Sequence, residues 1–293
     1  MGFYLLDAQP IVQWEKLYGG SGDDFIRHIH ATPDGGCITA GTSTSTDGDV
    51  GVNFGDSDAW IMKLDQNGLL EWKKVLGGDQ YDTGQCIFNT SDGNYIFLGS
   101  TISSNGGAIE IKGEGDFWIV KLDLSGNILW QKTYGGSAFD LLRKGKPTSD
   151  GGFIVTGDSE SNDGDVSGHH GTVDFDDVWV GKFDSLGQLE WQQSLGGMKD
   201  DYGYEISGTQ DGGYVIAAYI LSPDVPGFHG VSEGWVIKLN SDGEVEWQRT
   251  LGGSNDDGLY AVEGLCCMNL VGSQIFPIPF RPQATFTDLG AAI

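Results

Sequence analysis

Apolar and polar residues alternate with period two over short stretches, and each stretch is bounded by Gly or Asp. In the first such unit the alternation predicts strands over about Phe25–Ala31, Cys37–Thr42, Trp60–Leu64 and Leu69–Leu76. Asp34-Gly35-Gly36 separates the first two strands, and Asp-Gly flanked by apolar residues is a strong hairpin signal. No segment sustains a period of 3.6, so almost no helix is expected.

The unit then recurs. Trp14, Trp72, Trp130, Trp191 and Trp247 are spaced 58, 58, 61 and 56 residues apart, and Trp60, Trp118, Trp179 and Trp235 follow the same steps. A Gly-Gly pair comes five residues after each Trp of the first series, from Gly19-Gly20 to Gly252-Gly253. An aspartate sits five residues after the first glycine of each pair: Asp24, Asp82, Asp140, Asp201 and Asp257. Each Trp of the second series is followed at plus three by Lys63, Lys121, Lys182 or Lys238. Four short strands per tandem unit is the pattern of a β-propeller blade. The paired tryptophans then fill the wedge between neighbouring blades. The register aspartates are expected to tie one blade's loop to the next through backbone N–H groups.

The expected fold is therefore all-β: a propeller of four-stranded antiparallel blades in a single domain over 1–293. The repeat units are about 19–76, 77–134, 135–195 and 196–251. The segment Ile11–Tyr18 matches a fourth strand and Asp257–Glu263 matches a first strand. Residues 11–18 and 252–293 are thus expected to share a fifth, closing blade. The register also predicts an Asp-Gly-Gly turn near residue 267, but the chain reads Leu265-Cys266-Cys267-Met268-Asn269. Apolar stretches at Leu270–Val271, Ile275–Phe276 and Ala284–Phe286 could still supply the middle strands. The alternative is a piece of a larger propeller.

Composition narrows the class. Of 293 residues 48 are Gly, and 42 acidic against 16 basic residues give a net charge of −26. Hydrophobic residues at 39 % and aromatics at 11 % are enough for a packed core, which argues against disorder. Glycine is not at every third position, as collagen would need. No apolar run approaches the roughly 20 residues of a membrane helix, so no membrane insertion is expected. Nucleic acid is not expected as a partner, since it requires Lys/Arg clusters. A monomer is expected. Phe3–Leu6 is too short, and lacks a preceding Lys or Arg, for a secretory leader.

Much of the charge falls in two loop classes. In a propeller the loops joining second to third strands, and those joining one blade to the next, emerge on one face. These loops hold 25 of the 42 acidic residues. Two readings stand. Asp47, Asp49, Asp163, Asp165, Asp174, Asp176 and Asp177 have i, i+2 spacings suited to Ca²⁺, which takes six to eight oxygens. Alternatively these acids form turns and a solubilising surface. None matches the EF-hand pattern. Calcium is the one cofactor the sequence suggests.

Catalytic signatures are lacking. No HExxH, GxSxG, Walker or CxxC motif occurs. His28 and His30 share a strand face and could in principle hold a metal, but the other units have no His there. Cys37 stands where other units carry Tyr95, Phe153 and Tyr214, which reads as a core position.

The unit Trp-x-Lys-x-Tyr-Gly-Gly-Ser … Asp-Gly-Gly-x-Ile … Asp-Gly-Asp-Val … Asp-x-Trp-x-x-Lys-x-Asp-x-x-Gly, over about residues 11–263, resembles tandem repeats of secreted and surface proteins of Bacteroidota and some archaea. It is also similar to the bacterial seven-bladed β-propeller repeat and is WD40-like in strand count. The resemblance implies an extracellular or outer-surface setting. The expected function is a non-catalytic binding or adhesion scaffold that presents long acidic loops to a protein or glycan ligand. A propeller-based hydrolase or lyase and a purely structural spacer of a larger surface protein are the alternatives.

Overall fold

The computed structural model describes residues 12–105 and 110–262. Four four-stranded antiparallel sheets follow one another along the chain. Blade 1 is β1 (Asp24–Ala31), β2 (Cys37–Ser43), β3 (Asp58–Leu64) and β4 (Leu70–Leu76). Blade 2 is β5 (Asp82–Asn89), β6 (Tyr95–Thr101), β7 (Asp116–Leu122) and β8 (Ile128–Tyr134). Blade 3 is β9 (Asp140–Pro147), β10 (Phe153–Ser159), β11 (Asp177–Phe183) and β12 (Leu189–Leu195). Blade 4 is β13 (Asp201–Gly208), β14 (Tyr214–Ile220), β15 (Glu233–Leu239) and β16 (Val245–Leu251). The described residues contain no helix. The predicted strands of the first unit match within one or two residues, and the fold is a propeller-like all-β repeat.

The core lies between the blades. One apolar cluster joins blades 1 and 2 through Ile61, Phe97 and Trp118. A second joins blades 2 and 3 through Phe117, Phe153 and Trp179, and a third joins blades 3 and 4 through Val180, Ile216 and Trp235. The middle strands of each blade are covered on both faces, so their sequences are nearly continuous apolar runs. Trp60, Trp118, Trp179 and Trp235 are at most 2 % exposed, and burying each contributes roughly 2–3 kcal/mol.

The other tryptophan series does a different job. Trp14 and Trp72 donate their indole N–H to the carbonyls of Gln66 and Leu124, in the turn before the fourth strand of the following blade. Trp14, Trp72, Trp130 and Trp191 lie over Gly68, Gly126, Gly187 and Gly243 of those turns. These glycines have φ between 70° and 85°, and a Cβ on any of them would come within 2.9 Å of the indole. Left-handed backbone and close approach together exclude other residues.

Every first strand carries a bulge at the same register, leaving Arg27, Gln85, Arg143 and Tyr204 as the extra residue.

Ile11, residues 263–293 and the two cysteines there lie outside the described residues. Residues 12–20 form no strand, although Trp14 and Tyr18 dock on Gln66 and Gly68 as an outer strand's side chains would. An outer strand pairs with the third strand of its own blade, and the described residues supply none there. At the other end, Asp257 N–H donates to Ser232 O, and Ser232 bridges Asp256 as Ser57 bridges Tyr81. The chain thus leaves blade 4 as it leaves blade 1. At the two ends of the described row, Phe25, Ile26 and Ile29 on β1 and Val245, Trp247 and Leu251 on β16 are exposed.

Candidate binding surface

Hydrogen bonds join the two acidic loop classes on one face. Asp47 Oδ1 accepts the Ser21 N–H at 2.7 Å, and Asp49 Oδ2 accepts that of Gly19 at 3.2 Å. Asp163 and Asp165 do the same for Ser137 and Gly135, and Lys112 also pairs with Asp165. Gly48 and Gly164 between them have φ near 60°, with Gly19 O and Gly135 O 2.4 Å from where a Cβ would stand. Asn105 and Asp224 hold the corresponding amides of Asp79 and Met198. The Asp-Gly-Asp loops therefore brace the chain entering their own blade. Asp47 and Asp49 belong to blade 1 while Asp163, Asp165, Asp174, Asp176 and Asp177 belong to blade 3. Among the described residues no three His, Cys, Asp or Glu side chains converge on a point that could hold a metal ion.

The register aspartates do accept backbone N–H groups, but from the segment four residues before them rather than from the loop of another blade. Asp24, Asp82, Asp140, Asp201 and Asp257 each accept the N–H of the second glycine of Gly-Gly, at 2.6–2.8 Å. On the opposite face the buried register lysines act as clamps. Lys63, Lys182 and Lys238 each bridge the aspartate of the first turn (Asp34, Asp150, Asp211) to a glutamate of the fourth strand (Glu71, Glu190, Glu246). In blade 2, Leu129 replaces the glutamate and Lys121 bonds Asp92 and the Ser185 carbonyl.

His28 is a brace too. Its Nδ1 accepts the Ile87 N–H of the next blade at 3.2 Å, and burial holds its pKa down at about 4. A neutral ring suits that acceptor role.

The repeat breaks where blade 3 meets blade 4. Thr42 and Ser100 each accept an N–H from the next blade, of Gly84 and Leu142. In blade 3 the same position is Asp158, which accepts the Gly203 N–H at 3.0 Å and also holds the bulge residue Arg143. Arg143 Nε lies 2.9 and 2.8 Å from the two Asp158 oxygens. The guanidinium stands 4.7 Å from the Tyr204 ring and 5.5 Å from Tyr202. Tyr260 meets Tyr204 edge-on at 4.8 Å, and Tyr219 lies 6.3 Å from both Tyr202 and Tyr260.

Carboxylates crowd this junction. Burial pushes Asp158 up to about 6 against the pull of Arg143, so it is ionised at neutral pH. Burial first, and then Asp158, Glu160 and Asp200, push Asp176 up to about 7. Asp176 can therefore both donate and accept near neutrality. Of the seven aspartates singled out in the sequence, Asp176 joins this group, and Asp174 acts on its Glu160. Arg143, Asp158, Tyr202, Tyr204, Tyr219 and Tyr260 were not singled out. Their signal was departure from the repeat: Asp158 stands where the other units have Thr42, Ser100 and Tyr219.

No family model matches the chain, and no curated protein matches it. Among solved structures, a protein of unknown function from Bacteroides caccae, determined at 1.35 Å, aligns at 13 % identity with a TM-score of 0.33. The alignment covers 81 % of this chain and 88 % of that one. An overlap that low carries nothing about function.

Proposed function

We propose that this protein is a non-catalytic binding scaffold of the outer cell surface, of the Bacteroidota tandem-repeat type, and that it recognises a glycan at the junction of blades 3 and 4. The observation behind this reading is the break in an otherwise strict repeat. The register aspartates and lysines recur in all four blades, whereas Asp158, Asp176 and Tyr202 have no counterpart in the other blades and Arg143 has one only in Arg27. Half-buried tyrosine faces beside convergent polar groups suit a sugar: C–H faces stack on the rings, and hydroxyls donate to carboxylates. Recognition on loops held by a rigid scaffold is the common arrangement.

The test is a glycan array with the whole chain, repeated with Tyr202→Ala and Asp176→Asn. Binding that both variants lose while keeping the wild-type melting temperature supports the proposal. No retained glycan would favour the spacer reading, which the heavy use of loop acids as braces already supports. Cleavage of a retained glycan would move Asp176 into the role of a general acid and revive the enzyme reading.

A further inference from the structure

The six aspartates that face each other across the blade junctions are 0 % exposed: Asp58 with Asp82, Asp116 with Asp140, and Asp177 with Asp201. The first of each pair opens a third strand, and the second opens the first strand of the next blade. The first glycine of each Gly-Gly lies between them. A Cβ on Gly77 would stand 1.9 Å from Asp58 Oδ1 and 2.7 Å from Asp82 Oδ2. On Gly135 it would stand 2.7 Å from Asp116 Oδ1 and 2.4 Å from Asp140 Oδ2, and on Gly196 2.2 Å from Asp177 Oδ1 and 2.8 Å from Asp201 Oδ2.

The hydrogen bonding is lopsided at the second and third junctions, whereas at the first Asp82 takes the Gly78 N–H and the Ser103 O–H on Oδ2 and its own Oδ1 is buried without a partner. Asp140 and Asp201 accept backbone N–H and serine O–H groups on both oxygens. Their partners use one oxygen only: Oδ2 of Asp58, Asp116 and Asp177 accepts the N–H of Phe54, Lys112 and His170. Oδ1 of all three is buried without a hydrogen-bond partner. A bare carboxylate oxygen aimed at a second buried carboxylate is costly unless a proton or a cation lies between them. Calcium needs six to eight oxygens, and the backbone N–H groups that point at each pair present their positive ends to it. One proton needs only two oxygens.

We infer that each of the three blade junctions holds a single proton between its two carboxyl groups, with Oδ1 of Asp58, Asp116 and Asp177 donating to the aspartate of the next blade. The junctions are then joined below neutral pH and lose that bond, gaining a repulsion, when the proton leaves to solvent. The expected direction follows from burial, which pushes Asp58 and Asp116 up to about 6 and Asp140 and Asp201 up to about 7. The other charged groups at the sites are few. Lys112 and Asp165 act on Asp116, and His169 and His170 act on Asp177. Beside Asp58 the neighbouring charge is Asp82.

The experiment is thermal melting of the whole chain from pH 4 to pH 9, for wild type and for Asp58→Asn/Asp116→Asn/Asp177→Asn. Asparagine keeps the N–H···O bond at every pH. Wild type should melt at least about 5 °C lower at pH 8 than at pH 5. The triple variant should lose most of that difference and melt above wild type at pH 8. A variant that melts below wild type at every pH would overturn the inference. So would a calcium-dependent rise in the wild-type melting temperature that the variant lacks. Should the variant not fold, carboxyl carbon NMR of the wild type decides. Six aspartates titrating wholly below pH 5 would refute the shared proton, and pairs with steps near 6–7 would support it.

Discussion

Lys182→Met removes a clamp while keeping its stem. The lysine side chain is 4 % exposed, and its Nζ lies 2.7 Å from Asp150, 2.8 Å from Glu190 and 3.2 Å from the Phe183 carbonyl. Methionine fills nearly the same volume, so packing is preserved and the loss is electrostatic. Both carboxylates are about half exposed and can rehydrate, which limits the cost of leaving them unpaired. Two charge-assisted bonds in that setting contribute about 1 kcal/mol each, about 2 kcal/mol together. For a chain of this size that is a fall of roughly 4–8 °C in melting temperature. The effect should depend on pH in one direction. Desolvation opposes ionisation of Asp150, but its bonds to Lys182 and Thr148 outweigh it and hold the pKa down at about 2, below the ordinary 3.8. A depressed carboxylate contributes above its unfolded pKa and loses that contribution as pH falls through the folded value. Urea unfolding at pH 6, 4 and 3 should therefore show the difference between wild type and variant shrinking toward pH 3. A difference below about 0.5 kcal/mol at pH 6, or one that stays constant down to pH 3, would refute the clamp.

Other substitutions separate the remaining arguments. Gly77→Ala should destabilise by about 2–3 kcal/mol because its Cβ meets Asp58 Oδ1, whereas Gly208→Ala has open space and should be neutral or slightly stabilising; equal melting temperatures would contradict the close approach. Trp179→Ala, which removes a fully buried ring stacked 4.3 Å from Phe117, should cost about 3–5 kcal/mol by urea titration. Arg143→Met strands the buried Asp158 carboxylate and should cost about 3 kcal/mol at pH 7.5; adding Asp158→Ser, as at Ser100, should recover most of it, and a double variant no better than the single would dissociate the two residues.

The lysine and aspartate registers were legible in the sequence because a brace must be repeated wherever the same turn is repeated. Lys63 and Asp24 could be picked out by counting from tryptophans and glycines. The strands were legible for the same reason, and the Asp-Gly turns fixed their limits. Asp58 and its equivalents were visible only as the Asp two residues before Trp. Nothing along the chain says that Asp58 faces Asp82, since that contact crosses from one blade to the next.

By itself the sequence determined the period, the strands, the propeller-like class and the placing of acids in two loop classes. These depend on local alternation and on residues repeated in register. Only the tertiary structure decided what each acid does. It spent Asp47, Asp49, Asp163 and Asp165 on backbone amides, set buried carboxylates against each other at the blade junctions, and gathered Arg143, Asp158 and Asp176 with the tyrosines at one junction. The physical reason is distance. A carboxylate's charge state and partner depend on groups within a few ångströms, and for Asp47, Asp82 and Asp158 such groups lie 21 to 45 residues away along the chain.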